Sequence, residues 1–401
     1  MDGRVPGRLR CSATLAVTYL FAIPAIAAGA YYLIALVAAL ARIRSREPIS
    51  RSTPPISILK PVRGRDPRFY EAIRSHAAQD YPDYEILFGV KDPADPALED
   101  IRRLQAEFPQ RSIRLIFSTR DAPNGKVAVL TDLAREAKYP ILLVNDSDIS
   151  VEPDYLRRVV AGLDDPKTGV VTCVYRARAE SWPGRWEAIG IATEFAPSVL
   201  VAPLVGVAGF ALGSTMVFRA RHLEEIGGFP ALESYLADDY QLGARISALG
   251  LRVMLSKVAV ETNLPGATWR DVWLHQLRWS RTIRVSRTAG YYGYLATQAA
   301  FWSIVAALAG HPWTALAAIT VRIAAGVVTG RVLLGDRQVS RYWYLVPLRD
   351  LWGFAVWLAG LSGDTVEWRG MTLKLSSDGK IVEKQVKSQK SKVKSQKYFS
   401  P

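Results

Sequence analysis

The stretch ILLVNDSDIS, Ile141 to Ser150, runs four apolar residues straight into two aspartates separated by one serine. An Asp-x-Asp at the end of an apolar run has three readings. It is a solvated turn with a capping aspartate, a structural calcium site, or a holder for a divalent ion that grips a diphosphate. Magnesium-like ions take hard oxygen ligands and keep phosphate oxygens and water in their shell, which suits two carboxylates at this spacing. Asp146 and Asp148 have company. Asp92 closes an apolar run upstream, and the pair Asp238-Asp239 opens a helical pattern about 90 residues downstream. Lys126 follows Asn124-Gly125 at another helix start, and His275-Gln276-Leu277-Arg278-Trp279 comes later. A carboxylate in such a set can take a hydroxyl proton, and a guanidinium can pair with phosphate through two donors.

Side chains so far apart in sequence need a scaffold that gathers them. Residues 52–266 are polar and charged, with no 18-residue apolar run, and read as one water-soluble domain. Strands are expected at Ser57–Leu59, Tyr84–Lys91, Ile113–Phe117 and Ile141–Val144, with helices over 67–79, Pro96–Phe108 and Gly125–Ala137. That alternation predicts an α/β domain with a mostly parallel sheet. Ligands of such sheets sit at the carboxyl ends of the strands, where Asp92, Asp146 and Asp148 fall. The second half is less regular. A strand is expected over Val170–Tyr175, a glycine-bearing segment with a strand-like end over Ala208–Phe218, and a helix over Leu236–Leu249.

The flanks differ in character. After a tail over 1–11, residues 12–41 carry no charge and end at Arg42, Arg44 and Arg46. This exceeds both the roughly 20 residues that span a bilayer and the about 7–15 of a signal-peptide core, so a retained transmembrane anchor is expected. Tyr292–Ala309 and Trp313–Gly330 flank His311-Pro312 and read as a helical hairpin, and Tyr342–Leu361 is apolar but interrupted by Arg349 and Asp350. Region 291–362 is therefore expected to hold C-terminal membrane helices. Arg322 falls midway along one of them, where charges usually face a protein interior. Over 267–290, Trp269, Trp273 and Leu277 recur every four residues, followed by Arg281, Arg284 and Arg287. That is the pattern of an amphipathic helix in the membrane interface, with a helix packed on the domain as the other reading. The basic flanks place the middle domain on the cytoplasmic side of a multi-pass membrane protein.

The net charge of +14 is not a nucleic-acid signature. Seven lysines against Asp378 and Glu383 in 376–401 supply +5 of it, and VKSQK occurs there twice, so this segment reads as a disordered tail. The remaining excess lies beside membrane segments, where it suits anionic headgroups, and no DNA or RNA motif is present. Cys11 and Cys173 form neither a CxxC nor a disulfide framework, which fits a reducing compartment.

In order and spacing, SILKPVRGRDP, DYPDYEILFGVKDPADPA, NDSDI, GFALGSTMVFRA, LADDYQLG and HQLRWSRTIR resemble the ceramide glucosyltransferase family and its bacterial relatives, including the hopanoid-associated glycosyltransferases. The resemblance covers about residues 10–330. It implies a GT-A (nucleotide-diphospho-sugar transferase) fold and inverting transfer of glucose or N-acetylglucosamine from a UDP-sugar to a lipid hydroxyl, on ceramide or a hopanoid polyol. By the same resemblance Asp92 contacts the uracil or ribose, and Asp146 and Asp148 carry Mn2+ or Mg2+ on the diphosphate. Some relatives keep only the first aspartate of that pair. Asp239 is the general base with Asp238 beside it, and Lys126 touches the diphosphate or nucleotide. Arg278 and Trp279 belong to a Q/R-x-x-R-W element at the membrane edge. His275 departs from that pattern, and Gln276 is one position off. A processive polysaccharide synthase shares the carboxylates and the Arg-Trp pair, but usually needs more spans than the three or four counted here. An inactive scaffold would not need a base at Asp239.

Overall fold

The computed structural model describes residues 7–47, 50, 52–264 and 268–386. The first element, α1 (Gly7–Arg44), is a single long helix with Pro24 inside it. The chain then alternates β1 (Ile56–Pro61), α2 (Phe69–Ala77), β2 (Tyr84–Val90), α3 (Ala97–Glu107), β3 (Ser112–Phe117), α4 (Gly125–Glu136) and β4 (Ile141–Val144). These match the expected alternation within two or three residues at each end. A short β5 (Ile149–Ser150), α5 (Tyr155–Val160) and β6 (Thr168–Arg178) follow. Next come α6 (Trp182–Gly190), a π-turn over Ile191–Phe195, and α7 (Ala196–Val201). The domain continues through β7 (Met216–Arg219), α8 (Ala220–Glu225), α9 (Asp238–Ala248) and β8 (Arg252–Asn263).

The eight strands form one sheet in the order β3-β2-β1-β4-β7-β6-β8-β5. The β1–β2, β2–β3, β1–β4 and β6–β8 pairs are parallel, while β7 is antiparallel to both its neighbours. The fold is thus mixed α/β and mostly parallel. β1 is buried on both faces, as parallel strands between helix layers are. Ile56 and Ile58 pack with Phe69 and Ile73 of α2, and Leu59 packs with Val127 and Leu130 of α4 on the other side. Strand order reverses between β1 and β4, and a crevice opens beyond their carboxyl ends at such a reversal.

The rest of the chain is helical until its end: α10 (Trp269–Ser286), α11 (Thr288–Gly293), α12 (Ala299–Leu308), α13 (Pro312–Val327, continuing as a π-turn to Leu333), α14 (Arg337–Tyr342) and α15 (Val346–Gly360). Three antiparallel strands close the description: β9 (Thr365–Trp368), β10 (Met371–Leu375) and β11 (Ile381–Val386).

Several expectations are corrected here. Trp182–Val205 is a helix long and apolar enough to cross a membrane, as are Thr18–Arg44 and Pro312–Leu333. The segment 52–266 is therefore not free of such a run. Arg185, Glu187 and Glu194 interrupt it in the sequence, yet Glu187 and Glu194 find partners in the fold, at His275 and Arg349. β8, the longest strand at 12 residues, was not anticipated. The stretch Tyr292–Ala309 is not one helix. It breaks at buried Gln298, leaving Ala299–Leu308, which is too short to span. Finally, Ser376–Val386 is a turn and a strand rather than disordered tail. Leu373, Leu375 and Ile381 bury against Leu236 and give the hairpin a core. The repeated VKSQK lies almost wholly outside the described residues.

The amphipathic α10 packs on α15. Trp269 and Trp273 both pack their rings on Trp352 of α15, at 5.8 and 5.4 Å between centroids. Arg281 and Arg284 donate to the backbone carbonyls of Ser362 and Leu361 at 3.1 and 2.9 Å, which holds the α15–β9 turn. Arg42 likewise donates to the Leu255 carbonyl of β8 at 2.7 Å.

Candidate functional site

The site is built where β4 ends. Lys60, at the end of neighbouring β1, is fully buried and donates to the Asp146 backbone carbonyl at 3.1 Å. This tie across the strand-order reversal fixes the turn that presents the two aspartates. Burial pushes the Lys60 ammonium down to about 7, opposed by the carboxylates of Asp148 and Asp146. On the other side the Asp146 amide donates to the Gly213 carbonyl at 3.3 Å.

Lys126 stands at the centre of the acidic residues. Asn124 caps α4 by accepting from the backbone amides of Lys126 and Val127, which fixes where the lysine leaves the helix. Its Nζ lies 2.9 Å from Asp146 Oδ1 and 3.2 Å from Asp238 Oδ2. The three carboxylates of Asp146, Asp238 and Asp239 together hold the ammonium protonated despite its burial.

Asp239 is held differently from its neighbour. Its Oδ2 accepts from the Gly213 amide at 2.8 Å, and its Oδ1 accepts from the Tyr240 amide at 2.7 Å. Burial, then the charge of Asp238, push its carboxyl up to about 6, with Lys126 opposing. Asp238 is buried and already paired with Lys126. Asp239 is thus the member of the pair left to titrate near the range a general base needs.

Gly213 explains how these groups approach. A Cβ there would lie 3.2 Å from Asp146 Oδ2 and 3.3 Å from Asp239 Oδ2. A larger residue would have to push both carboxylates back by a few tenths of an ångström.

Asp148 points elsewhere. The Thr262 hydroxyl of β8 donates to its Oδ2, and Asn263 donates to its backbone carbonyl at 3.3 Å. Burial, then the charge of Asp146, push its carboxyl up to about 6. Asp92 stands beyond β2 on the same sheet edge, exposed, with its Oδ1 accepting from the Ala94 amide at 2.8 Å. That is a turn-capping bond. The structure does not join Asp92 to the Lys126 cluster.

The Arg-Trp element approaches from α10. Arg278 feels the charges of both Asp146 and Glu187, while its burial pushes its guanidinium down. Its guanidinium donates no hydrogen bond among the described residues. His275 packs at a tilt against Trp279 with centroids 4.6 Å apart, and its Nδ1 lies 2.5 Å from Glu187 Oε1 on α6. Gln276 faces away, accepting from Trp352 Nε1 at 2.7 Å. The two positions take different faces of the helix, as the 100° step between them requires. A cavity of about 260 Å³ lies between α10 and the β9–β10 turn, lined by His275, Arg278, Arg270, Trp368 and Arg369.

With this geometry in view, the pattern for glycosyl transferase family 21 matches residues 17–381, which includes most of α1, the whole eight-stranded sheet and the strands β9 and β10. The chain belongs to glycosyl transferase family 21. Ceramide glucosyltransferase 1 of Caenorhabditis elegans is 26% identical over 228 residues, covering 56% of this chain and 49% of that protein. Ceramide glucosyltransferase 3 of the same organism is 28% identical over 259 residues, covering 63% and 56%. This family 21 chain spans about half the length of the curated relatives it matches. Among solved structures, a mannosyltransferase from Pyrobaculum calidifontis, in complex with GDP-Man and Mn2+, superposes with a TM-score of 0.54 at 19% identity. It covers 86% of this chain and 99% of that one, a likeness of fold.

The donor set of the family 21 site suits a divalent ion of the hard-oxygen kind. Among the described residues no three His, Cys, Asp or Glu side chains gather closely enough to cage a metal. Magnesium-like ions seldom need such a cage, because one or two carboxylates plus substrate phosphates complete the shell. Asp146 fits that role: its side chain is 45% exposed, so the carboxylate opens toward the crevice. Asp148, engaged by Thr262, does not present its carboxylate in the same way.

Sequence reasoning missed four contributors: Lys60, Gly213, Thr262 and Glu187. A lysine inside the apolar run ISILKP is a visible signal, since lysine is seldom fully buried without a partner. Gly213 lies in the stretch GFALGSTMVFRA, but its role, like those of Thr262 and Glu187, depends on contacts with residues 26 to 114 positions away.

Proposed function

We propose that this protein is an inverting membrane glycosyltransferase that moves glucose or N-acetylglucosamine from a UDP-sugar to a hydroxyl of a lipid, ceramide or a hopanoid polyol. The observation that carries the reading is the convergence of Asp146, Lys126, Asp238 and Asp239 about Gly213 at the strand ends. Family membership and the ceramide glucosyltransferase names of the relatives support the lipid acceptor. Three helices long and apolar enough to cross a membrane support a multi-pass protein. The arginines after α1 support a cytoplasmic face for the sheet domain.

In this reading Asp239 takes the proton of the acceptor hydroxyl as its oxygen attacks the anomeric carbon. The new C–O bond forms on the face opposite the breaking bond to phosphate, and UDP leaves with the electron pair. Asp146, with Asp148 behind it, would hold Mn2+ or Mg2+, which supplies Lewis-acid stabilisation of charge on the departing diphosphate. Lys126 and Arg278 add positive charge to the same end of the site, and Asp238 keeps Lys126 in place. Asp92 contacts the nucleoside from the far end of the crevice. Trp279, packed against His275, forms the membrane-side wall.

The test is transfer by purified protein in detergent with Mn2+ or Mg2+, a panel of UDP-sugars, and ceramide or bacteriohopanetetrol as acceptor. A glycosylated lipid from the parent and none from Asp239→Asn is the expected result. Growth of a water-soluble polymer in place of glycolipid would overturn it in favour of a processive synthase.

A further inference from the structure

One buried carboxylate near the site has no part in the chemistry just described. Glu187 lies on α6, at the start of the apolar helix Trp182–Val205, and is 4% exposed. Its Oε1 sits 2.5 Å from His275 Nδ1. With the Glu187 carboxylate accepting from Nδ1, the ring's other nitrogen, Nε2, is left to meet a ligand. Among the described residues that Nε2 has no partner, and His275 lines the 260 Å³ cavity beside Arg278. The ring cannot swing away freely, since it packs at a tilt against Trp279, 4.6 Å between centroids, and Trp279 packs on Phe195 at 6.0 Å.

The dyad lies within electrostatic reach of the carboxylate cluster. Arg278 feels both Asp146 and Glu187, and partly buried Tyr175 feels Glu187 together with Asp239, Asp146 and Asp148. The dyad also lies near the start of Trp182–Val205, a helix long and apolar enough to cross a membrane, which suits a lipid acceptor.

We propose that Glu187 is a positioning residue. It orients His275 so that Nε2 hydrogen-bonds a hydroxyl of the lipid acceptor's headgroup and places that acceptor against Asp239. Histidine held by Glu187 offers one nitrogen at a fixed point, which a hydroxyl can meet as donor or acceptor. This inference rests on the glycosyl-transfer reading above.

The experiment measures transfer with the acceptor varied, and UDP-sugar hydrolysis without acceptor, for the parent, Glu187→Gln, His275→Ala and the double variant. Both single variants are expected to raise the acceptor KM about threefold to tenfold, the upper part of the range for an ordinary hydrogen bond. Donor KM and hydrolysis should stay within about twofold of the parent, which also shows that the variants fold. The double variant should cost no more than His275→Ala alone, because Glu187 acts only through the ring. Unchanged acceptor KM in either single variant, or additive losses in the double, overturns the dyad. A fall in donor hydrolysis equal to the loss of transfer also overturns it, since that marks a structural role. If the parent glycosylates no lipid, the underlying reading fails first, and that result is distinct from all of these.

Discussion

Arg322 and Asp350 form a two-pronged ion pair inside the helical part of the molecule. Arg322 Nε lies 3.0 Å from both carboxylate oxygens, and Nη2 lies 2.6 Å from Oδ1. Arg322 is fully buried and Asp350 is 3% exposed. The remaining guanidinium edge donates to the Thr193 carbonyl in the α6–α7 π-turn at 2.8 Å, and the group lies 4.4 Å above the Tyr32 ring of α1. One arginine thus ties together α13, α15, α1 and the π-turn behind the site. Asp350→Ala leaves an uncompensated buried charge, so a loss of about 3–5 kcal/mol is expected. Thermal unfolding in detergent should show it, and the double change Arg322→Met with Asp350→Leu should recover much of the loss. An Asp350→Ala protein as stable as the parent would refute the claim that the pair is structural.

Gly213→Ala should act on chemistry and not on folding. The new methyl must push the Asp146 and Asp239 carboxylates apart by a few tenths of an ångström. Small misplacements of reacting groups are expensive, so kcat/KM should fall roughly tenfold or more with little change in unfolding temperature. Retained activity would place the reacting groups elsewhere.

The two aspartates of the motif should not be equivalent. Asp146 faces the crevice and pairs with Lys126, whereas Asp148 is engaged by Thr262. Asp146→Asn is expected to abolish Mn2+ dependence together with turnover. Asp148→Asn should keep measurable turnover and need several-fold more Mn2+, and Thr262→Val should resemble it. A metal titration of the three variants decides this, and equal losses in Asp146→Asn and Asp148→Asn would contradict it.

The pH dependence has opposite signs for activity and for stability. Asp239 and Asp148 are acids raised to about 6 by burial. Well below the ordinary aspartate value of about 3.9 both are protonated whether folded or not, so they cost the fold nothing. As pH rises from there through about 6 the unfolded chain loses these protons first, and stability falls. Transfer should rise over the same window as Asp239 ionises, then level off. The limb belongs in kcat/KM, which reports the free enzyme. An activity profile flat from pH 5 to 8 would remove Asp239 as the base.

The sequence by itself determined the alternating strands and helices from Ile56 to Val144, because local hydrophobic periodicity and proline or glycine punctuation are nearest-neighbour properties. It also marked Asp146, Asp239 and Lys126, since carboxylates and lysine at the ends of apolar elements stand out by type. It misread Trp182–Val205, whose charged residues look solvated until their partners are known. Only the tertiary structure decided which aspartate faces the crevice, because that depends on a threonine 114 residues away. The same holds for Asp92, whose carboxylate caps its own turn, and for the trio of Gly213, Asp146 and Asp239. Such contacts are fixed by how the strands are ordered in the sheet and where α9 and α10 dock. Those are properties of the packed chain that no local pattern contains.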